Sequence, residues 1–158
     1  DETLKDQINI SFTGEYSNAL DSKNRINIPA KFRKSLDPVN DRTFVLTQGF
    51  DKCLILYPLQ EWRIVEEQLS KLSSIKGKDR SFVRSITRHA IAVQYDGQGR
   101  IQISEALLKY AGITKDISVI GMIKKIELWD PAVISQMDLQ NDTIEDSDFE
   151  DLANEINF

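Results

Sequence analysis

The sequence predicts a β-rich mixed α/β fold in which two copies of one unit share a core. Three observations carry this. The octet Asp21-Ser22-Lys23-Asn24-Arg25-Ile26-Asn27-Ile28 returns 75 positions later as Asp96-Gly97-Gln98-Gly99-Arg100-Ile101-Gln102-Ile103, with the Asp, the Arg and both Ile in the same places. Each octet runs into a short helical pattern and then a β-rich stretch broken at a glycine. Finally, 158 residues that are 41% hydrophobic are enough to close one compact domain or two small intertwined halves. Two copies are too few for a solenoid, so a pseudo-symmetric pair is expected.

Each octet begins as a turn. Asp21 and Asp96 can accept backbone N–H bonds from two residues on, and Gly99 sits where a tight loop calls for positive φ. Asn24 holds that place in the first copy, and Asn is the commonest residue after Gly to tolerate it. A strand follows. Side chains alternate, so Ile26 and Ile28 point inward with Ile101 and Ile103, while Arg25, Asn27, Arg100 and Gln102 point outward. Next comes Pro29-Ala-Lys-Phe-Arg-Lys-Ser-Leu36, with Pro at a first helical position and Phe32 one turn from Leu36. Its counterpart is Ser104-Glu-Ala-Leu-Leu-Lys-Tyr-Ala-Gly112, with Ser104 as N-cap and Gly112 as terminator. The β-rich stretches, 44–58 and 117–131, break at Gly49 and Gly121 and end on an aromatic (Tyr57, Trp129) near a proline.

Helical material joins the copies. From Pro58, Trp62, Val65, Leu69 and Leu72 recur at helical spacing towards Gly77. A second helix, over about 79–90, carries Arg80, Arg84 and Arg88 on one face and Phe82, Ile86 and His89 on the other. The arginine stripe reads as a solvated or salt-bridged face before it reads as a phosphate contact. His89 reads as a packed histidine and Cys53 as a small core residue. The tail lacks strong periodicity until Phe149, Leu152 and Ile156, which can share one face of a short acidic helix; a mobile or loosely docked terminus is the expectation.

Charge sharpens the reading. The net charge is -5, but residues 138–158 hold eight acids and no base, which leaves 20 basic against 17 acidic residues, a net +3, in the body. A mildly basic body is compatible with nucleic acid without demanding it. Arg and Asn or Gln are the side chains that make bidentate contacts to guanine and adenine in the major groove, which admits a two-stranded β-ribbon. Arg25 with Asn27 and Lys23, and Arg100 with Gln102 and Gln98, form such surfaces; a half-buried strand carrying polar residues outside is the simpler reading of the same pattern. Lys23, Lys31, Arg33 and Lys34 are candidates for positioning contacts to phosphate.

These residues resemble the MraZ family, bacterial transcriptional regulators whose chain carries two AbrB-like (SpoVT/AbrB) swapped-hairpin units, each marked by an Asp-x-x-Gly-Arg turn. The resemblance spans about 12–131. It includes Phe12-Thr-Gly-Glu-Tyr16, Leu20-Asp-Ser-Lys-Asn-Arg-Ile-Asn-Ile-Pro29, Leu56-Tyr-Pro-Leu-Gln-Glu-Trp62, the second octet and Glu127-Leu-Trp129. It implies a first AbrB-like unit over 13–62, a helical connector over 63–88, a second unit over 89–134 and an acidic tail over 135–158 that it does not cover. It further implies a pseudo-symmetric intertwined β-barrel with peripheral helices, assembly into a homo-oligomeric ring, and binding to repeated short sites in the promoter of the division and cell-wall gene cluster. The DNA-contacting arginines carry over onto Arg25 and Arg100. Asn24 replaces the family's Gly, so the first loop keeps its form only if Asn24 is left-handed.

The expected function is therefore a sequence-specific DNA-binding regulator, cytoplasmic and nucleoid-associated. The alternative is an antitoxin-like protein-interaction module whose acidic tail engages a basic partner. An enzyme is not expected: with one His, one Cys and no phosphate loop, no nucleophile and base can be nominated. No zinc-ligand spacing exists and no cofactor is expected. The longest aliphatic and aromatic run, about 53–57, is far short of the roughly 20 residues that span a bilayer.

Overall fold

The computed structural model describes residues 11–140 and 146–156. Among these are eight strands and six helices. In chain order they are β1 (Glu15–Ala19), β2 (Arg25–Asn27), α1 (Ala30–Ser35), a 3-10 turn (Pro38–Asn40), β3 (Thr43–Gln48), β4 (Leu54–Pro58), α2 (Leu59–Ser70), α3 (Gly77–Thr87), β5 (Ile91–Gln94), β6 (Arg100–Gln102), α4 (Glu105–Ala111), β7 (Asp116–Gly121), β8 (Ile126–Trp129), α5 (Pro131–Gln140) and α6 (Asp146–Glu155).

Six strands form one antiparallel sheet in the order β1-β7-β8-β4-β3-β5, and β2 pairs with β6 as a separate ribbon. The order has a meaning. Exchange each strand for its equivalent in the other copy, and the sheet reads the same in reverse about the β4–β8 junction. Only the hairpins β3–β4 and β7–β8 pair within a copy. The ladders β1–β7, β3–β5, β4–β8 and β2–β6 all join one copy to the other. Each copy thus lends its first strand to the other's hairpin, and neither completes its sheet alone. Among the described residues no ladder closes the six strands on themselves: β1 and β5 are the two ends of an open sheet, where a barrel was expected.

The central strands explain themselves by burial. Phe44, Leu46, Leu54 and Leu56 face a core shared with Ile26, Ile28, Ile101 and Ile103 from the ribbon. Their neighbours Val45 and Ile55 are also buried, but on the opposite face of the sheet, where Thr47, Ile55 and Tyr57 stand opposite Val65 and Leu69 of α2. Cover on both faces is why these strands read as unbroken apolar runs rather than alternations. Phe32 of α1 is fully buried and meets Phe12 and Tyr16 edge-on, at centroid distances of 5.4 and 5.2 Å. Beside it the chain passes so close to Gly121 that a Cβ there would lie 2.4 Å from the carbonyl carbon of Phe12.

α4 starts and ends as its residues say, whereas Pro29 is the N-cap of α1 rather than its first helical residue, and α3 begins two residues before the expected Asp79. Ser104 caps α4 by accepting from the Leu107 N–H, and Gly112 ends it in the left-handed conformation. α2 stops at Ser70 and α3 spans Gly77–Thr87, somewhat short of the 79–90 pattern at its C-terminal end. The tail holds a helix, α6, whose Phe149 and Leu152 are exposed, as is Ile156 directly after it.

Candidate nucleic-acid interface

The two octets fold into the same turn, bond for bond. Asp21 Oδ1 accepts from the backbone N–H groups of Lys23 and Arg25, both at 2.9 Å; Asp96 Oδ1 accepts from those of Gln98 and Arg100, also at 2.9 Å. The backbone closes each loop again, through Asp21 N–H to Arg25 O and Asp96 N–H to Arg100 O, at 2.9 Å each. Such a closure needs a left-handed residue before the arginine. Asn24 supplies it with φ 58° and Gly99 with φ 81°, so the departure from glycine in the first copy leaves the loop intact.

The second carboxylate oxygen does a different job. Asp21 Oδ2 takes the Arg25 Nε–H at 2.8 Å, and Asp96 Oδ2 takes the Arg100 Nε–H at 3.0 Å. Among the described residues these guanidinium groups make no other hydrogen bond, which leaves Nη1 and Nη2 of both uncommitted. The arginine side chains are 26% and 29% exposed: neither buried in the subunit nor waving free. Backbone N–H donation from the arginine residue, assisted by that from Lys23 or Gln98 and by the guanidinium itself, holds both aspartates below the usual carboxylate range. The carboxylates therefore remain charged clamps at neutral pH.

The ribbon register brings the two turns onto one surface. Arg25 stands opposite Gln102 and Asn27 opposite Arg100, with Ile26 and Ile101 paired between them. Directly opposed residues share a face, and so do residues two apart. Arg25, Asn27, Arg100 and Gln102 therefore lie on one side of the ribbon, while both isoleucines are buried on the other. Lys23 and Gln98, in the turns, are exposed at its ends.

Three details escaped the sequence. Asn27 and Gln102 are exposed, yet each spends an amide N–H on the other copy's turn, Asn27 Nδ2 on Gln98 O at 3.1 Å and Gln102 Nε2 on Lys23 O at 3.3 Å. Their shared 75-residue offset was the available signal. Asn18 donates to Asn27 O from β1, which no motif foretold. Arg33, expected to reach phosphate, is half-buried: its Nε–H is donated to Ile28 O at 2.9 Å, and its guanidinium covers Gly99 so closely that a Cβ would lie 2.5 Å from Cζ. Lys31 is exposed on α1, and Lys34 is exposed one turn later.

Away from the ribbon Cys53 sits as read, while Arg88 and His89 lie past the end of α3. Cys53 is buried, and burial, with Glu127 and Asp51 nearby, pushes its thiol up to about 12. His89 is half-buried. Arg80 of the α3 stripe donates Nη1–H to Ser74 O and Ile75 O, closing the loop before its helix. Among the described residues no helix is long and apolar enough to cross a membrane.

A tandem α/β protein whose two copies exchange strands and present paired Asp–Arg turns on one ribbon is thus the class defined by the fold. The family model described as "MraZ protein, putative antitoxin-like" matches the chain twice, over residues 11–85 and 86–156. The transcriptional regulator MraZ of Clostridium tetani is 48% identical over 118 residues, which cover 75% of this chain and 80% of that protein. The chain belongs to the MraZ family. The second match extends to residue 156, into the acidic tail that the sequence motifs had left outside the resemblance.

Proposed function

We propose that this protein is a sequence-specific DNA-binding transcriptional regulator that reads bases through Arg25 and Arg100. One observation carries the reading: each arginine is held at Nε by its own aspartate, with both Nη groups uncommitted, on one face of a two-stranded ribbon. A guanidinium fixed at one edge and open at the other is oriented for the O6 and N7 acceptors of guanine without a large entropic cost on binding. The name of the Clostridium tetani relative supports the regulatory role. Exposed Lys23 and Lys31 would position the backbone, and Arg33 would act by holding the second turn rather than by touching phosphate.

In this reading the units at 13–62 and 89–134 are swapped-hairpin halves, the strand exchange between copies being the supporting observation. Several copies joined in a homo-oligomeric ring would engage short sites repeated in the promoter of the division and cell-wall genes, so that individually weak contacts act together. Such a protein would reside with the nucleoid.

Binding of a fluorescent fragment of the chain's own upstream region tests it. Arg25→Ala or Arg100→Ala should cost about 1–3 kcal/mol and flatten the preference between bases, whereas Lys31→Ala should weaken all sequences alike. Affinity should fall steeply with salt. Unaltered affinity and preference in the double arginine variant would dispose of the assignment.

A further inference from the structure

Two apolar surfaces lack a partner among the described residues, and they match each other. The first is an open groove of about 640 Å³ on the outer face of the sheet. Val65 and Leu69 of α2 and Leu72 just beyond it line one wall, Phe82 and Ile86 of α3 the other, and Phe50 stands at the rim, 79% exposed and stacked on Phe82. The second is the stripe Phe149 and Leu152 on α6 with Ile156 directly after it, with exposures of 66%, 61% and 71%.

Length and charge both fit. The spacing i, i+3, i+7 is that of an amphipathic helix seated in a hydrophobic groove. Phe149 to Ile156 is seven residues, about 10 Å at helical rise, and Val65 to Leu72 on the groove wall spans the same number of residues, each ending just past its helix. α6 carries five acids and no base in ten residues. Asp148 and Glu155 border the stripe at about 100° per residue. Lys125 lines the groove, and Arg84 on α3 lines the adjoining recess beside Leu69 and Leu72. The groove side is basic where the helix is acidic.

We infer that α6 of one copy docks in the α2–α3 groove of a second copy, with Phe149, Leu152 and Ile156 as its anchors. The occupant we assign is another copy, because no described residue of this chain fills the groove or covers the stripe, and the acidic helix complements the basic groove side. Groove and helix are different patches, so the contact is head-to-tail and joins copies in series. The inference rests on the self-association within the proposed function and gives it a contact; it does not draw on the arginine turns.

Mixing tests it directly. A chain with Phe82→Cys is oxidised together with a chain carrying Leu152→Cys; both positions are exposed, and the native Cys53 is buried. A disulfide-linked band of twice the chain mass, formed in the mixture and lost when Arg84→Glu is added, is expected. No linked band in the mixture overturns the contact, as does an internal disulfide in one chain carrying both cysteines, which would place α6 on its own groove. Light scattering on Phe149→Asp/Leu152→Asp should show loss of the wild-type assembly, and an unchanged mass overturns the proposal. DNA binding of the arginine variants is read separately, so an assembly held by some other surface leaves the base-reading role standing.

Discussion

Replacing Gly99 with alanine separates two functions that one residue performs. A residue with a Cβ in the left-handed region costs roughly 1–2 kcal/mol, and Gly99 has φ 81°. The new Cβ would also lie 2.5 Å from Arg33 Cζ and 2.6 Å from Nε, so Arg33 must swing away and give up its bond to Ile28 O. A hydrogen bond from a charged donor is worth about 1.5–3 kcal/mol; Arg33 is only half-buried and water can replace part of it, so about 1 kcal/mol is the better figure. Gly99→Ala should therefore cost about 2–3 kcal/mol, a fall of roughly 4–12 °C in melting temperature for a chain of this size. Asn24→Ala is the control. Asn24 already adopts φ 58°, so its replacement should cost less than about 1 kcal/mol. Urea titrations of both variants, of Arg33→Ala and of Gly99→Ala/Arg33→Ala form a double-mutant cycle. In the Arg33→Ala background the Gly99 substitution should cost only its backbone share, a coupling of about 1 kcal/mol. Equal costs at positions 24 and 99, or a cost at 99 indifferent to Arg33, would refute the packing argument.

Other perturbations are equally definite. Phe32→Ala removes a fully buried ring that touches Phe12 and Tyr16, and should cost about 3–5 kcal/mol by denaturant unfolding. Gly121→Ala should be worse tolerated than its conformation suggests, because the obstacle is the Phe12–Thr13 backbone rather than a side chain; thermal melting should show a larger loss than for Gly97→Ala, where a Cβ meets nothing within 4 Å. Acid should loosen both turns together. Their aspartates are depressed in the fold, so their contribution is present above the ordinary aspartate pKa of about 3.9 and is lost as pH falls through the lower folded values. Carboxyl carbon NMR should place both midpoints below 3.9; midpoints at or above it would mean the clamps are not formed in solution.

The turns were legible because everything that makes them is local. An aspartate reaches N–H groups two and four residues on, the left-handed residue sits between, and alternation then decides which way Arg25 and Ile26 point. Nothing local determines that β2 pairs with β6 rather than with a neighbour in its own copy, or that β1 crosses to β7. Arg33 illustrates the difference. On sequence it is one basic residue among several on a short helix, with a claim on phosphate no different from that of Lys31. Only the cross-copy ribbon lays Gly99 beneath it and turns it inward to Ile28 O. The described strands show no closed barrel for a related reason: repeated units imply exchanged strands, but closure depends on whether β1 and β5 find partners, and the repeat does not specify that.

The exchange of strands also explains why an arginine turn is written twice in one chain. Ile28 N–H is bonded to Gly99 O and Ile103 N–H to Asn24 O, at 2.8 and 2.9 Å, so each strand is anchored on the opposite loop. Asn27 and Gln102 repeat the exchange with their side chains, onto Gln98 O and Lys23 O. A lone octet would have its Asx turn but no partner for the strand that follows, and a three-residue strand has little else to hold it. Paired, the loops fix one another, and the spacing between Arg25 and Arg100 becomes a property of the ribbon register instead of two independent loops. Rigid spacing is what a protein needs if two guanidinium groups are to meet two fixed acceptors at once, since freedom between them would have to be given up on binding.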